Sequence, residues 1–373
     1  MLDKILVPLD GSQLATCVLP HLVAMTRATD AHITLLRVTE KQPEAAGQIN
    51  PVDWHLTKVE GQMYLDEMKE RLHAFTEQEA DTQVLEGPAA ERIIEYAQKN
   101  EENLIVLSTH GQSGLNGWTM SSVTQKVVQR AGTSILLIPA YSPHTNRSEA
   151  TLDDVHYRRI LVPLDGSQRA EAVLPLALSL AQQHQAELFL VHVVTRPEML
   201  QRMPLTPEDA ALAEQVVARN QAQAQRYFEQ LQSRLTPETQ TKVVTNGHVT
   251  TALLKFVQQE QIDLVLLSAH GNSGQNQWPY GSVVTSFINY GATPLLIYQD
   301  LPPDEIEPTQ AERATTATQR VWRKNNGHNG NYGGQELRKI NSQTAPIGHI
   351  SLLSKLIKPP TDRVSAPVST ALL

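Results

Sequence analysis

The sequence predicts an α/β protein built from two tandem doubly wound five-stranded parallel sheets, each with strand order 3-2-1-4-5. Three observations predict it. The first is an internal duplication: KILVPLDGSQLATCVLP at Lys4–Pro20 returns as RILVPLDGSQRAEAVLP at Arg159–Pro175, and LIVLSTHGQSG at Leu104–Gly114 returns as LVLLSAHGNSG at Leu264–Gly274. The offset is 155 residues from Asp10 to Asp165 and 160 from His110 to His270. A domain-sized unit therefore occurs twice, since solenoid repeats run only about 20–50 residues. The second observation is the alternation of strand-like and helix-like segments inside each unit. The third is that the strands are apolar throughout, as strands covered on both faces must be.

Each element of the first unit follows from its pattern. Ile5–Leu9 is a continuous apolar run, and Asp10-Gly11-Ser12 makes a turn after it. Ser12 is placed to cap a helix in which Ala15, Val18, Leu19, Leu22 and Val23 recur at helical spacing. Pro20 and its counterpart Pro175 lie inside that expected helix, where proline costs about 3 kcal/mol, so a kink is expected. A strand at Ile33–Val38, a helix near Thr57–Gln78, a strand at Thr82–Leu85 and a helix near Ala89–Lys99 follow. Leu104–Leu107 is the fourth strand, a glycine loop leads to a helix around Val123–Ala131, and Ile135–Ile138 closes the unit. The expected division is a first domain over 1–140, a polar linker over 141–156, a second domain over 157–300 and a tail over 301–373. The tail is rich in Pro, Thr, Asn, Gln and Gly, with nine Lys/Arg against six Asp/Glu, and reads as a disordered extension dispensable for folding.

Composition narrows the function. The 373 residues carry 31 Lys+Arg against 39 Asp+Glu, a net charge of -8. That balance argues against a general nucleic-acid binder, which needs a basic face. A single cysteine, Cys17, forms no internal disulfide and no structural zinc ladder. It lies on a helix face and reads as inert. His184 and His192 fall on different elements without a carboxylate or cysteine at metal spacing, so no metal site is assigned. The N-terminal MLDKILVPLD has no signal-peptide pattern, and no long apolar run suggests a membrane span, so a cytoplasmic location is expected.

In an open parallel sheet, ligands bind beyond the carboxyl ends of the strands where the strand order reverses. Here that point lies between the first and fourth strands, and both units place special residues there. Asp10 and Asp165 end the first strand of each unit, while the loops 109–122 and 269–282 follow the fourth. Gly271, Gly274 and Gly281 precede a helix in the second unit. Glycines let backbone N–H groups approach phosphate, and a helix N-terminus adds favourable partial charge. Ser282 is placed to cap that helix or to donate to phosphate, and Asp165 to accept from ribose hydroxyls. The combination suggests a nucleotide. The plain alternative is that both aspartates are turn residues. His110 and His270 read as histidines bonded to nearby backbone, and Trp118 and Trp278 as packing residues.

These residues resemble the universal stress protein family in a tandem form, with its adenine-nucleotide α-hydrolase-like fold. The family pattern G-x2-G-x9-G-S/T maps onto Ser268, Gly271, Gly281 and Ser282, and onto Ser108, Gly111, Ser121 and Ser122. Serine replaces the first glycine in both units, and the third as well in the first unit. The resemblance assigns Asp10 and Asp165 to ribose after Pro8 and Pro163, and Val38 and Val193 to adenine. Gly114, Gly274 and Val283 complete the implied nucleotide contacts. It implies an ATP-binding, nucleotide-responsive stress or signalling protein, with ATP and its Mg2+ as the cofactor.

No catalytic residue is assigned. The chain has neither a GxxxxGKS/T P-loop nor an SGGxDS loop, and no Ser/His/Asp set, so any ATP hydrolysis is expected to be slow. The alternatives are a nucleotide-independent interaction module and, less favoured, an adenylating α-hydrolase-type enzyme. The apolar closing strands Ile135–Ile138 and Leu295–Tyr298 would aggregate as uncovered edges. In the family the corresponding strands meet across a dimer interface, so the resemblance implies that the two halves pair within one chain. A homodimer of chains is a further expectation of the resemblance; no membrane or nucleic-acid partner is expected, and no protein partner is identified. Serine at 121 in place of Gly281 is expected to weaken the first site if that position needs a positive φ.

Overall fold

The computed structural model describes residues 2–40, 51–111, 120–140, 152, 155–197, 206–235, 239–271 and 279–299. The strands of the first half are β1 (Lys4–Pro8), β2 (His32–Thr39), β3 (Ala80–Glu86), β4 (Leu104–Ser108) and β5 (Ser134–Ile138). Those of the second are β6 (Arg159–Pro163), β7 (Glu187–Thr195), β8 (Thr239–Asn246), β9 (Leu264–Ser268) and β10 (Leu295–Tyr298). Each half has the order 3-2-1-4-5, but the two sheets are one: the strands run β3-β2-β1-β4-β5-β10-β9-β6-β7-β8. Neighbours within a half are parallel, and the halves join antiparallel through β5 and β10, with Leu295 opposite Leu137, Leu296 opposite Leu136 and Ile297 opposite Ile135. Both expected edges are thereby consumed. The family of parallel strands is buried on both faces, which explains why β4, β5 and β9 contain no exposed residue.

Helices cover the two faces in two sets. On one face lie α1 (Val18–Thr26), α2 (Pro51–His73), α6 (Leu174–His184) and α7 (Pro207–Gln232), whose Leu22, Leu65, Leu180 and Phe228 pack on Ile5, Val7, Ile160 and Val162. On the other lie α3 (Ala89–Lys99), α4 (Ser122–Arg130), α8 (Val249–Gln259) and α9 (Ser282–Tyr290), whose Ile93, Val127, Phe256 and Phe287 pack on Leu6, Ile105, Leu161 and Val265. Adjacent residues of one strand thus feed opposite cores, the period-2 consequence of the pleat.

The structure revises several expectations. The helix expected to contain Pro20 is broken: a 3-10 turn at Ala15–Cys17 precedes α1, and a short α5 (Gln168–Glu171) precedes α6. Pro20 and Pro175 therefore sit in the first turns of α1 and α6, where an N–H has no helical partner and proline removes nothing. Helix α2 starts at Pro51 rather than near Thr57, and β3 spans seven residues. The expected linker is partly structural: Leu152 is buried and Val155 packs against the same core as α1 and α6. The tail over 301–373, Gly114, Gly274, Trp118 and Trp278 lie outside the described residues.

Candidate functional site

Each half builds the same corner from the ends of its first and fourth strands. After β1, the Asp10 carboxylate accepts the Ser12 N–H at 2.9 Å through Oδ1, closing a turn in which Gly11 has φ 84°. Ser12 Oγ then accepts the Ala15 N–H at 3.1 Å and starts the 3-10 turn. After β6, Asp165 Oδ1 accepts both the N–H (3.0 Å) and the hydroxyl (2.6 Å) of Ser167, and Gly166 has φ 82°. Ser167 caps α5 through the Ala170 N–H. An L side chain is strained at such a φ, so glycine is required after both aspartates.

The loop after the fourth strand comes back onto this corner. A Cβ placed on Gly111 would overlap Asp10 Oδ2, and one placed on Gly271 would overlap Asp165 Oδ2. The two loop glycines are thus the residues that let backbone lie flat against each carboxylate. Further along, the loop is pinned at its return: Ser121 N–H donates to Thr109 O at 2.9 Å, and Gly281 N–H donates to Ala269 O at 3.0 Å. In the first half Thr124 Oγ1 adds a bond to Ser108 O at 2.9 Å. Each loop therefore leaves the strand end, passes the aspartate and returns at the N-terminus of α4 or α9.

At those N-termini the condition for a weaker first site is not met. Ser121 has φ -57° and Gly281 φ -66°, both ordinary values, so serine is not strained there. Ser121 is instead the N-cap of α4, its Oγ accepting the Thr124 N–H at 3.1 Å. Ser282 is not a cap: Gly281 holds that position in α9 and Ser282 is the first helical residue. Ser122 occupies the same place in α4. The strain argument for a weaker first site is therefore removed.

The remaining residues fall around this corner. Pro8 and Pro163 are the last residues of β1 and β6, partly buried. Val38 and Val193 are near the ends of β2 and β7, half-buried on the α3 and α8 side, and Val283 packs on the same core. His110 Nδ1 lies 3.0 Å from Thr109 Oγ1, and His270 is buried. Cys17 is partly buried and its thiol is pushed up to about 12 by burial, as an inert cysteine requires. Among the described residues no group of His, Cys, Asp and Glu could hold a metal ion.

Sequence reasoning missed the second layer. Arg37 and Tyr64 lie beside the Asp10 turn, and His192, Tyr227 and Glu171 lie around the corresponding Asp165 turn of the second half. Burial, then Asp10, pushes the Tyr64 phenol up to about 12 against the opposing pull of Arg37. Tyr227 donates to Glu171 Oε1 at 3.0 Å and is raised by burial first, then by Glu171. A signal for Arg37 and His192 existed: each immediately precedes the valine that the resemblance singled out.

The fold and the corner define the class: a tandem doubly wound α/β protein with one strand-end corner of aspartate and loop glycine per half. The chain belongs to the universal stress protein family, whose model, described as Universal stress protein family, matches residues 1–139 and 156–299. A universal stress protein of Methanocaldococcus jannaschii is 30% identical over 139 residues, covering 36% of this chain and 81% of the relative. One from Mycobacterium tuberculosis is 24% identical over 198 residues, covering 53% of this chain and 62% of the relative. Among solved structures, a universal stress protein from Archaeoglobus fulgidus superposes with TM-score 0.56 at 16% identity, covering 80% of this chain and 99% of that one. A functionally unknown protein from Pseudomonas aeruginosa gives 0.54 at 14%, covering 80% and 93%. At these identities the structural likeness speaks for the fold. No helix among the described residues is long and apolar enough to cross a membrane.

Proposed function

We propose that this protein is a nucleotide-responsive stress or signalling protein that binds an adenine nucleotide, ATP with its Mg2+, in the crevice of each half, without efficient catalysis. One observation carries the reading: in both halves a loop glycine packs against the strand-end aspartate so closely that any Cβ would overlap the carboxylate. That close approach, kept twice, fits a ribose partner beside a backbone phosphate loop. Asp10 and Asp165 would take ribose hydroxyls, Val38 and Val193 the base. The N-termini of α4 and α9, with Gly111, Gly114, Ser121, Ser122 and Gly271, Gly274, Gly281, Ser282, Val283, would take the phosphates. Mg2+ would be held through phosphate oxygens and water. Binding at this point would bear on the turns that lead into the 3-10 turn before α1 and into α5, a route from nucleotide state to shape.

A second reading has its own support. Oδ1 of each aspartate already closes a turn with Ser12 or Ser167, which fits an interaction module that has kept the fold without the ligand. Mass spectrometry of small molecules released from the purified, heat-denatured full chain separates the two. An adenine nucleotide near stoichiometric amount is expected, with less from Asp10→Asn and Asp165→Asn. Protein that carries none, and gives no heat when titrated with ATP, would establish the second reading.

A further inference from the structure

The two crevices differ one residue before Val38 and Val193. In the first half that residue is Arg37. Its side chain passes close to Gly61 of α2, where a Cβ would stand 3.3 Å from Cδ, and ends at the β1 turn, where a Cβ on Gly11 would stand 2.6 Å from Nη1. The guanidinium carbon lies 5.2 Å from the centre of the Tyr64 ring. Two glycines and an aromatic face therefore hold this cation beside Asp10. Among the described residues no carboxylate lies within ion-pair distance of it.

The second half is built otherwise. His192 holds the register of Arg37, but its Nδ1 lies 2.9 Å from Leu164 O and its ring meets Phe228 edge-on at 6.5 Å. Among the described residues a Cβ on Gly166 would meet nothing within 4 Å. The guanidinium that stands over the turn glycine in one half has no counterpart there among the described residues of the other. A half-buried guanidinium with no described carboxylate at ion-pair distance has lost hydration, and phosphate oxygens restore it through charge-assisted, bidentate hydrogen bonds.

We propose that Arg37 sets ligand selectivity between the halves: the first crevice selects more strongly than the second for negative charge on a phosphorylated nucleotide. This rests on the nucleotide reading of both crevices. One charge-assisted contact is worth about tenfold in affinity.

Calorimetric titration of the full-length protein with ATP and with adenosine, at low and high salt, tests it on wild type, Arg37→Gln and Arg37→Lys. The expected result is two ATP sites in wild type, one of them weakened about tenfold in Arg37→Gln with its salt dependence flattened. Adenosine binding should stay the same, and Arg37→Lys, which keeps the charge, should retain the preference for ATP. Unchanged ATP affinity and salt slope at both sites of Arg37→Gln overturns the proposal and leaves the nucleotide reading standing. Equal loss of ATP and adenosine binding shows a packing role and also overturns it. Failure of wild type to bind ATP removes the nucleotide reading itself, and this inference with it.

Discussion

Residue by residue, the duplication works as an internal control, because each position has a counterpart under the same backbone. The clearest contrast lies between the sheet and the third helix of each half. The first half places Thr34, Tyr96 and Glu102 where the second places Phe189, Phe256 and Ile262. Phe189 and Phe256 meet edge-on at 5.8 Å. Glu102 is only 7% exposed, and its Oε2 has no hydrogen-bond partner. Burial holds its carboxyl above the usual range, opposed by Lys4, His32 and a bond from Thr34. A raised folded-state value means the native protein binds the proton more tightly than the unfolded chain. Stability from this group is therefore lost as pH rises from the unfolded value upward. Glu102→Ile, which copies the second half, should raise stability at pH 7 by about 1 kcal/mol and remove that component of the pH dependence. Urea unfolding of both proteins at pH 5 and pH 7 checks it; an equal or lower midpoint for the variant at pH 7 would count against the account.

The next scale up is the element, where local rules decide starts and ends. Helix α7 begins at a capping box, Thr206 accepting the Asp209 N–H at 3.1 Å, with Pro207 in its first turn. Helix α4 has its serine cap, whereas α9 has Gly281 in that place with no side chain to accept the third N–H. The space at Gly281 is open: a Cβ would meet only Ala269 O, at 3.8 Å, an ordinary contact. Gly281→Ser should therefore fold without strain and gain a few tenths of a kcal/mol from the new cap. Thermal unfolding should show an unchanged or slightly higher Tm. A drop of several degrees would mean the loop needs glycine there for a reason other than φ.

For the molecule as a whole, the join between halves is the decisive feature. Beyond β5 and β10, Tyr280 of the second half donates to Val128 O of the first at 2.6 Å, and Gln299 N–H donates to Ser134 Oγ at 3.1 Å. On the opposite face α1 and α6 meet: Ser179 Oγ donates to Ala28 O at 3.1 Å, and His184 Nε2 donates to Ala24 O at 2.8 Å. Tyr157, 1% exposed, lies between them, its hydroxyl 3.0 Å from His21 Nδ1 and its ring against His184. Arg27, with Nη1 3.4 Å from His156 Nε2, borders the cluster. Burial lowers His21 to about 4, and lowers His184 with help from Arg27 and His156. Both rings are thus held neutral, and the unfolded chain takes up the protons more readily. Stability is complete above the unfolded value near 6.5 and falls as pH drops through the window towards 4. For His21 the loss is on the order of 3 kcal/mol. His21→Asn should flatten the unfolding free energy across that window relative to wild type; parallel curves would show that the cluster does not couple acidity to the join.

Several features of this protein were legible in the sequence because they depend on neighbours along the chain. The duplication, the apolar strands, the glycine after each aspartate and the return of the loop to a helix are all of that kind. That Ile135–Ile138 and Leu295–Tyr298 need a cover was legible as well, but their pairing with each other came from the family resemblance. Other features required the chain to be folded. Ser121 reads as a lost glycine until its negative φ is seen, and proline at 20 reads as a kink until the helix is found to start at Val18. Tyr157 sits beside a polar stretch yet is among the most buried side chains. Arg37 stands out only once Gly11 from the β1 turn and Gly61 and Tyr64 from α2 are seen to surround it. Periodicity and turn chemistry are local, so the sequence determined the elements and the strand-end corner. Which side chains share a corner depends on contacts between distant segments, and only the tertiary structure decided those.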